Sequence, residues 1–198
     1  IRLWDGDGRP VTAANGGCTA TSGALAAGIM EHLEALMAFS TPTPNSFQRI
    51  TESSWVGVFA CFGVRNREAA IRLAPRTPAA DGTNPGASLE FRLCDGSANP
   101  YLSLAAIIRA GMLGLKGGLA TPASIEKDPA FIPAQEREAK GIRRVPMTVA
   151  DCLAAAEHHA ADWFGPLFWQ AFTSVRRNDI ADAERLAADY PAAIARAI

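Results

Sequence analysis

A chain of 198 residues is long enough to bury a sizeable core, and is expected to form one compact unit rather than two small ones. Its hydrophobic share of 48% and charged share of 20% are ordinary for a globular protein, and a formal net charge of −1 offers neither nucleic acid nor an anionic membrane an electrostatic footprint. No apolar run approaches the roughly 18 residues of a membrane span, and the start at Ile1 has neither a basic segment nor a cleavage site. Any function must therefore lie in a local site, and the absence of an initial Met marks the chain as an expected fragment.

From Ile1 to Gly17 the sequence reads as the tail of a strand followed by a turn-rich loop ending in Asn15-Gly16-Gly17. Leu25, Ile29, Leu33 and Leu36 then recur at helical spacing, which predicts one amphipathic helix from Thr21 or Ser22 to Ala38, with His32 on its solvated face. Pro42 and Pro44 forbid its continuation. Val56 to Val64 is apolar on both faces, as a central strand covered on each side requires. A turn at Arg65-Asn66-Arg67 leads to a second strand, Ala69 to Leu73, where Ile71 and Leu73 oppose Arg72. Arg76 to Ala87 is a Pro- and Gly-rich loop.

The stretch Ser88 to Tyr101 is the most informative. Leu89, Phe91 and Leu93 alternate with Glu90 and Arg92, so one face of a strand is core and the other is charged. Asp95-Gly96 turns the chain, and Asn99-Pro100 opens a helix running to Lys116, because Asn caps free backbone N–H groups and Pro already has a helical φ. Leu102, Ala106, Ile108, Met112 and Leu115 are its candidates for burial, and Gly111 and Gly114 predict close approach of a neighbour. Ala120 to Val145 is irregular and carries no recognisable motif. Thr148 to Asp151 resembles a capping box and opens a helix to about Asp162. Pro166 and Asp179 start two more, and Pro191 interrupts the last segment. Trp163, Phe164, Phe168, Trp169 and Phe172 read as helix-packing core in preference to a ligand cage.

Cys18, Cys61, Cys94 and Cys152 show no paired spacing, and with His32, His158 and His159 they form no zinc pattern; small buried thiols in a reducing cytoplasm are expected. The chain also lacks GxSxG, a phosphate-loop lysine, GxGxxG after a strand, and HExxH. What remains is a set of arginines, Arg49, Arg67, Arg72 and Arg92, around one carboxylate, Glu90, on or beside extended segments. Guanidinium groups match carboxylate and phosphate oxygens in bidentate fashion and stay charged, so this set predicts an anionic substrate. Glu90 has two readings that the pattern weighs equally: an ion-pair partner, or a hard oxygen ligand for magnesium or manganese.

Three stretches carry a family resemblance. Asn45-Ser46-Phe47-Gln48-Arg49, Asn66-Arg67-Glu68-Ala69-Ala70-Ile71-Arg72, and Glu90-Phe91-Arg92 through Asp95 to Ala98-Asn99-Pro100-Tyr101 resemble three successive motifs of the glutamine synthetase family, in order and in spacing. The resemblance covers nearly all of residues 1–198 and corresponds to the C-terminal portion of the catalytic domain. The implied fold is α+β, an antiparallel sheet packed with helices, lacking the N-terminal β-grasp domain and first catalytic strands. The implied reaction is ATP-dependent amide formation from glutamate and ammonia or an amine through an acyl phosphate, with Mg2+ or Mn2+ as cofactor. Position by position, Glu90 would bind the metal, Arg92 and Arg49 the glutamate or its acyl phosphate, and Arg67 and Arg72 the ATP phosphates; Arg92 and Arg67 would be the catalytic pair. The full-length protein would be a homo-oligomeric ring in the cytoplasm, and this portion alone inactive.

Two positions depart from the pattern. The family's ammonium-binding flap glutamate falls on Trp55, whose indole cannot accept a proton. That replacement resembles relatives that ligate larger amines, so a γ-glutamyl-amine ligase is the favoured version. An arginine expected two residues before Glu90 is Ser88, and a lysine expected earlier falls at Pro85. A non-catalytic structural or interaction member of the family is the alternative.

Overall fold

The computed structural model describes residues 1–75 and 86–186. Pro85, Pro191 and all but the end of the loop expected at Arg76 to Ala87 lie outside them. In place of one compact unit, the chain forms two: the first comprises Ile1–Leu33, Thr51–Leu93 and Ile107–Val145, the second Glu34–Ile50, Cys94–Ala106 and the segment from Pro146 onward.

The first unit begins with two two-residue strands, β1 (Ala13–Ala14) and β2 (Gly17–Cys18), paired antiparallel across Asn15 and Gly16. Both turn residues have positive φ, 51° and 81°, the mirror-image turn that suits the twist of a hairpin. Helix α1 follows (Ala20–Glu31), capped by the Thr19 hydroxyl, which accepts from Ser22 N at 3.2 Å. The single helix expected to Ala38 breaks at His32, whose backbone takes a non-helical conformation and whose Nδ1 lies 2.9 Å from Gly28 O; α2 resumes at Leu33 and ends at Ser40. α1 is not amphipathic either: Ser22, Gly23, Ala24, Leu25, Ala26, Gly28 and Ile29 are all buried.

The main sheet contains β3 (Phe59–Val64), β4 (Ala69–Pro75), β5 (Ala87–Phe91) and β6 (Arg143–Arg144), in the order β5-β4-β3-β6. β3 is interior and almost wholly buried, as its two apolar faces require. The α+β class stands, but the sheet is mixed. β4–β5 and β3–β6 pair antiparallel, whereas β3 and β4 run parallel over a connection of only Arg65–Glu68. Parallel neighbours ordinarily need a much longer crossover. Here Arg65 adopts a left-handed φ of 60°, and the Asn66 amide donates to Ile125 O (2.7 Å) and Lys127 O (3.0 Å) while its oxygen accepts from Glu68 N (2.9 Å). These bonds return the chain to the start of β3, so the triplet that reads locally as a turn is a tight crossover. Ile1 also exchanges a reciprocal pair of backbone hydrogen bonds with Leu89, at 2.7 and 2.9 Å.

Helix α3 (Pro100–Lys116) begins at Asn99 as expected, with Oδ1 accepting from Tyr101 N (3.0 Å) and Leu102 N (3.3 Å). Its buried face is only in part the one expected: Ala106 is buried and Leu102 and Leu115 half-buried, but Ile108 and Met112 are not. Ser103, Ala106, Ile107, Ala110, Gly111 and Gly114 are inside, while Ile108 and Met112 are 48% and 42% exposed. The cause is backbone approach to α1. A Cβ on Gly114 would stand 2.2 Å from Ala24 O and one on Gly28 would stand 2.4 Å from Ala110 O, so only small residues fit the seam. The region from Ala120 to Val145 contains a 3-10 turn at Pro129–Phe131, a short α4 (Ala134–Ala139) and β6, more order than its sequence suggests.

In the second unit, α5 (Val149–Phe164) is capped by Thr148, whose Oγ1 accepts from Asp151 N at 3.1 Å and lies 2.7 Å from the Asp151 carboxylate. One helix, α6 (Pro166–Leu186), replaces the two expected from Pro166 and Asp179. The aromatic cluster packs between helices but is half-buried: Phe39 of α2, 1% exposed, meets Phe164, Trp169 and Phe172 in tilted contacts with ring centroids 5.0–6.2 Å apart. Among the described residues no helix is long and apolar enough to cross a membrane.

Candidate active site

The charged face expected on the Ser88 stretch exists, and cross-strand register builds it. Arg72 on β4 stands directly opposite Glu90 on β5, with the buried Leu73–Leu89 pair beside them on the other face. Arg92, two residues beyond Glu90, continues the same face because side chains alternate, and its backbone N still donates to Ala70 O at 2.9 Å.

All three side chains meet on one oxygen. Arg72 reaches Glu90 Oε2 through Nε at 2.8 Å and Nη2 at 2.6 Å, and Arg92 Nη1 reaches it at 3.2 Å. Glu90 thus makes the ion pair that is one of its two readings. Arg92 also donates through Nε to Arg67 O (3.0 Å) and through Nη2 to Trp55 O. Among the described residues these bonds engage three of the five donors a guanidinium carries, leaving two for an anion. Burial, and after it the Arg72 charge, lowers the Arg92 pKa, with Glu90 acting in the opposite direction; the group still stays cationic near neutrality.

Arg67 is exposed, with its guanidinium carbon 4.9 Å from the centroid of the Trp55 ring, a cation–π contact. Trp55 is itself 62% exposed and adopts φ = 63°, unusual for a bulky residue. Arg67, Arg72, Glu90 and Arg92 are thus brought together in the first unit. Arg49 belongs to the second, where Nη2 donates to Cys94 O at 3.0 Å and Nε faces Asp95 Oδ2 at 3.7 Å, inside ion-pair range and beyond hydrogen-bond range.

Two residues escaped the sequence reading. Glu68, 9% exposed, accepts the Trp55 backbone N–H on Oε1 at 2.9 Å. Its place inside the second motif, beside Arg67, was the available signal. Arg2 donates through Nε to Ser88 Oγ at 3.2 Å, so a guanidinium stands beside the residue that replaces the expected arginine; no local pattern announces it.

The described residues contain no group of three or more His, Cys, Asp or Glu side chains arranged to hold a metal ion. Glu90 with two guanidiniums on one oxygen is a poor divalent site by itself, since a hard cation needs several oxygen ligands. What the described residues do form is a wall of guanidiniums around one carboxylate, a chemistry that matches carboxylate and phosphoryl oxygens. A cavity of about 340 Å³ in the second unit, lined in part by Phe39, Phe168, Phe172 and Arg176, contains none of these wall residues.

Comparison with known proteins gives the family. Residues 1–193 match the family described as glutamine synthetase, catalytic domain, and the chain belongs to that family. It is 37% identical over 182 residues to the gamma-glutamylpolyamine synthetase GlnA3 of Streptomyces coelicolor, covering 91% of this chain and 39% of that protein. Over 153 residues it is 36% identical to the glutamine synthetase of Thermococcus kodakarensis, covering 77% of this chain and 33% of that one. Among solved structures, a GmaS/ADP complex matches with a TM-score of 0.73 at 26% identity, covering 93% of this chain and 42% of that chain. The chain thus spans about two fifths or less of the length of these relatives.

Proposed function

We propose that this chain is the C-terminal portion of the catalytic domain of an ATP-dependent ligase that joins the γ-carboxylate of glutamate to an amine, through an acyl phosphate. The observation that carries the amine version is Trp55: an exposed indole ring stacked on Arg67 stands at the position of the family's ammonium-binding carboxylate. The name of the S. coelicolor relative supports a polyamine as the nucleophile, and the GmaS/ADP neighbour supports adenine nucleotide as the phosphoryl donor.

In this reading Arg67 and Arg72 contact the ATP phosphates, and Arg92 with Arg49 holds the glutamate or its acyl phosphate. Fixed guanidiniums offset the negative charge that spreads over the transferring group, which is where phosphoryl transfer is accelerated. Glu90 would contribute one oxygen to Mg2+ or Mn2+, which would supply neutralisation of phosphate charge. The full-length protein works as a cytoplasmic homo-oligomeric ring, and this portion alone is inactive. The test is phosphate release by the full-length protein with ATP, Mg2+ and glutamate. A polyamine or alkylamine is expected to support a faster rate than ammonium, and preference for ammonium overturns the reading. The alternative, a non-catalytic structural or interaction member, draws on Ser88 and on the saturation of Glu90 Oε2 by arginines. Metal-dependent ATP binding that weakens in Glu90→Gln decides against it.

A further inference from the structure

Residues Thr51 to Gly57 form a strap whose conformation is costly and whose anchors are specific. Ser53 and Trp55 both occupy the left-handed region, at φ 53° and 63°, which disfavours side chains other than glycine. At the strap's end Gly57 (φ 82°) passes so close to β4 that a Cβ would stand 2.8 Å from Ala70 Cα. Such geometry persists only where the surroundings over-determine it.

The outer anchors are weak. Glu52 pairs with Arg144, and Ser53 Oγ donates to Asp128 Oδ2 at 2.8 Å, both at exposed positions where water competes. The Trp55 ring, 62% exposed, is not held by burial. The inner anchor is different. Glu68, 9% exposed at the start of β4, accepts the Trp55 N–H at 2.9 Å, while the Trp55 carbonyl accepts from Arg92 Nη2 and its ring carries the Arg67 guanidinium. One strap residue is therefore tied through its amide to Glu68, and through its carbonyl and ring to two arginines of the site.

We propose that Glu68 is a positioning residue that fixes the strap over the Arg67 and Arg92 guanidiniums and so sets recognition of the amine. A carboxylate acceptor holds an N–H more strongly than a neutral one, and a half-buried N–H that loses its acceptor is left unsatisfied. Without Glu68 the Trp55 N–H loses its acceptor, and the strap is held at its least favoured residue only by the Arg92 bond to the carbonyl and the Arg67 contact with the ring. The Trp55 ring then no longer presents a fixed wall to the amine, and Arg92 and Arg67 lose a shared reference point. The amine part of this inference rests on the proposed ligase function; the hold of Glu68 on Trp55 does not.

The test uses the full-length protein with Glu68→Ala, Glu68→Gln and Glu68→Asp. Hydrogen exchange is followed on the peptide covering residues 51–58, and KM and kcat are measured with spermidine and with ammonium. For Glu68→Ala, the Trp55 amide is expected to exchange about tenfold faster or more, with spermidine KM rising about tenfold and kcat changing less than about threefold. Glu68→Gln keeps a side-chain oxygen acceptor of the same length and is expected to restore both. Should the alanine variant not fold, Glu68→Asp withdraws the acceptor by one methylene and gives the same loss of protection. Unchanged exchange in the strap overturns the proposal, and so does faster exchange with an unaltered spermidine KM. If the wild-type protein ligates no amine, the ligase reading fails, while the exchange measurement still decides whether Glu68 holds the strap.

Discussion

Replacing Glu90 by Gln removes one charge and almost no volume from the centre of the arginine wall. In the wild type, Oε2 receives Arg72 Nε and Nη2 and Arg92 Nη1, at 2.8, 2.6 and 3.2 Å. The Glu90 side chain is 36% exposed and its partners 17% and 18%, so the pairs lie between the surface and the buried limit. Each is then worth about 0.5–1 kcal/mol after solvent screening, or about 1–2 kcal/mol for both. The amide of Gln keeps one acceptor, but leaves Arg72 and Arg92 facing each other without a counter-charge. At this chain length the loss corresponds to a Tm lower by roughly 2–8 °C in a thermal melt at low salt, shrinking as salt screens the wild-type pairs. A double-mutant cycle with Arg72→Ala should recover about half of that energy as coupling. A Glu90→Gln protein melting within about 1 °C of wild type at low salt would refute the ion-pair reading of the wall. Loss of Mg2+-dependent ATP binding without a Tm change would instead show Glu90 serving the ligand alone.

Gly114→Ala tests the α1–α3 seam. Helix propensity alone favours the change by about 1 kcal/mol, yet the new Cβ would lie 2.2 Å from Ala24 O and 2.6 Å from Gly28 N, backbone atoms that cannot rotate away. Net destabilisation of about 2 kcal/mol or more is expected by urea denaturation; a neutral or stabilising result would refute close backbone packing. Thiol reactivity tests burial. Burial pushes Cys61 up to about 11 and Cys152 up to about 12, so at pH 8 both are almost entirely protonated; Cys94 is exposed. A disulfide reagent on the native protein should label Cys94 before either, with Cys61 and Cys152 reacting only on unfolding. Early labelling of Cys152 would contradict its burial.

Much of the site was legible because it is local. The two-residue period of a strand is enough to place Glu90 and Arg92 on one side and Leu89 and Leu93 on the other, and to set Arg72 against Ile71 and Leu73. Caps at Asn99 and Thr148 were legible for the same reason, since the cap and the groups it satisfies lie within three residues. Glycine at 111 and 114 signalled close approach, though not which helix approaches or that Ile108 and Met112 would stay outside. The break at His32 was illegible because the apolar spacing runs straight through it.

By itself the sequence determined the residue types of the wall, their faces, and membership of the glutamine synthetase family through three ordered motifs. Only the tertiary structure decided that Arg72 and Glu90 are cross-strand partners, that β3 and β4 run parallel, that Arg2 stands beside Ser88, and that Glu68 holds Trp55. The physical reason is range. Periodicity and capping are written in neighbouring residues, whereas register and the pairing of buried polar groups are settled between segments far apart in the chain, where each donor takes whichever acceptor the packed backbone brings within reach.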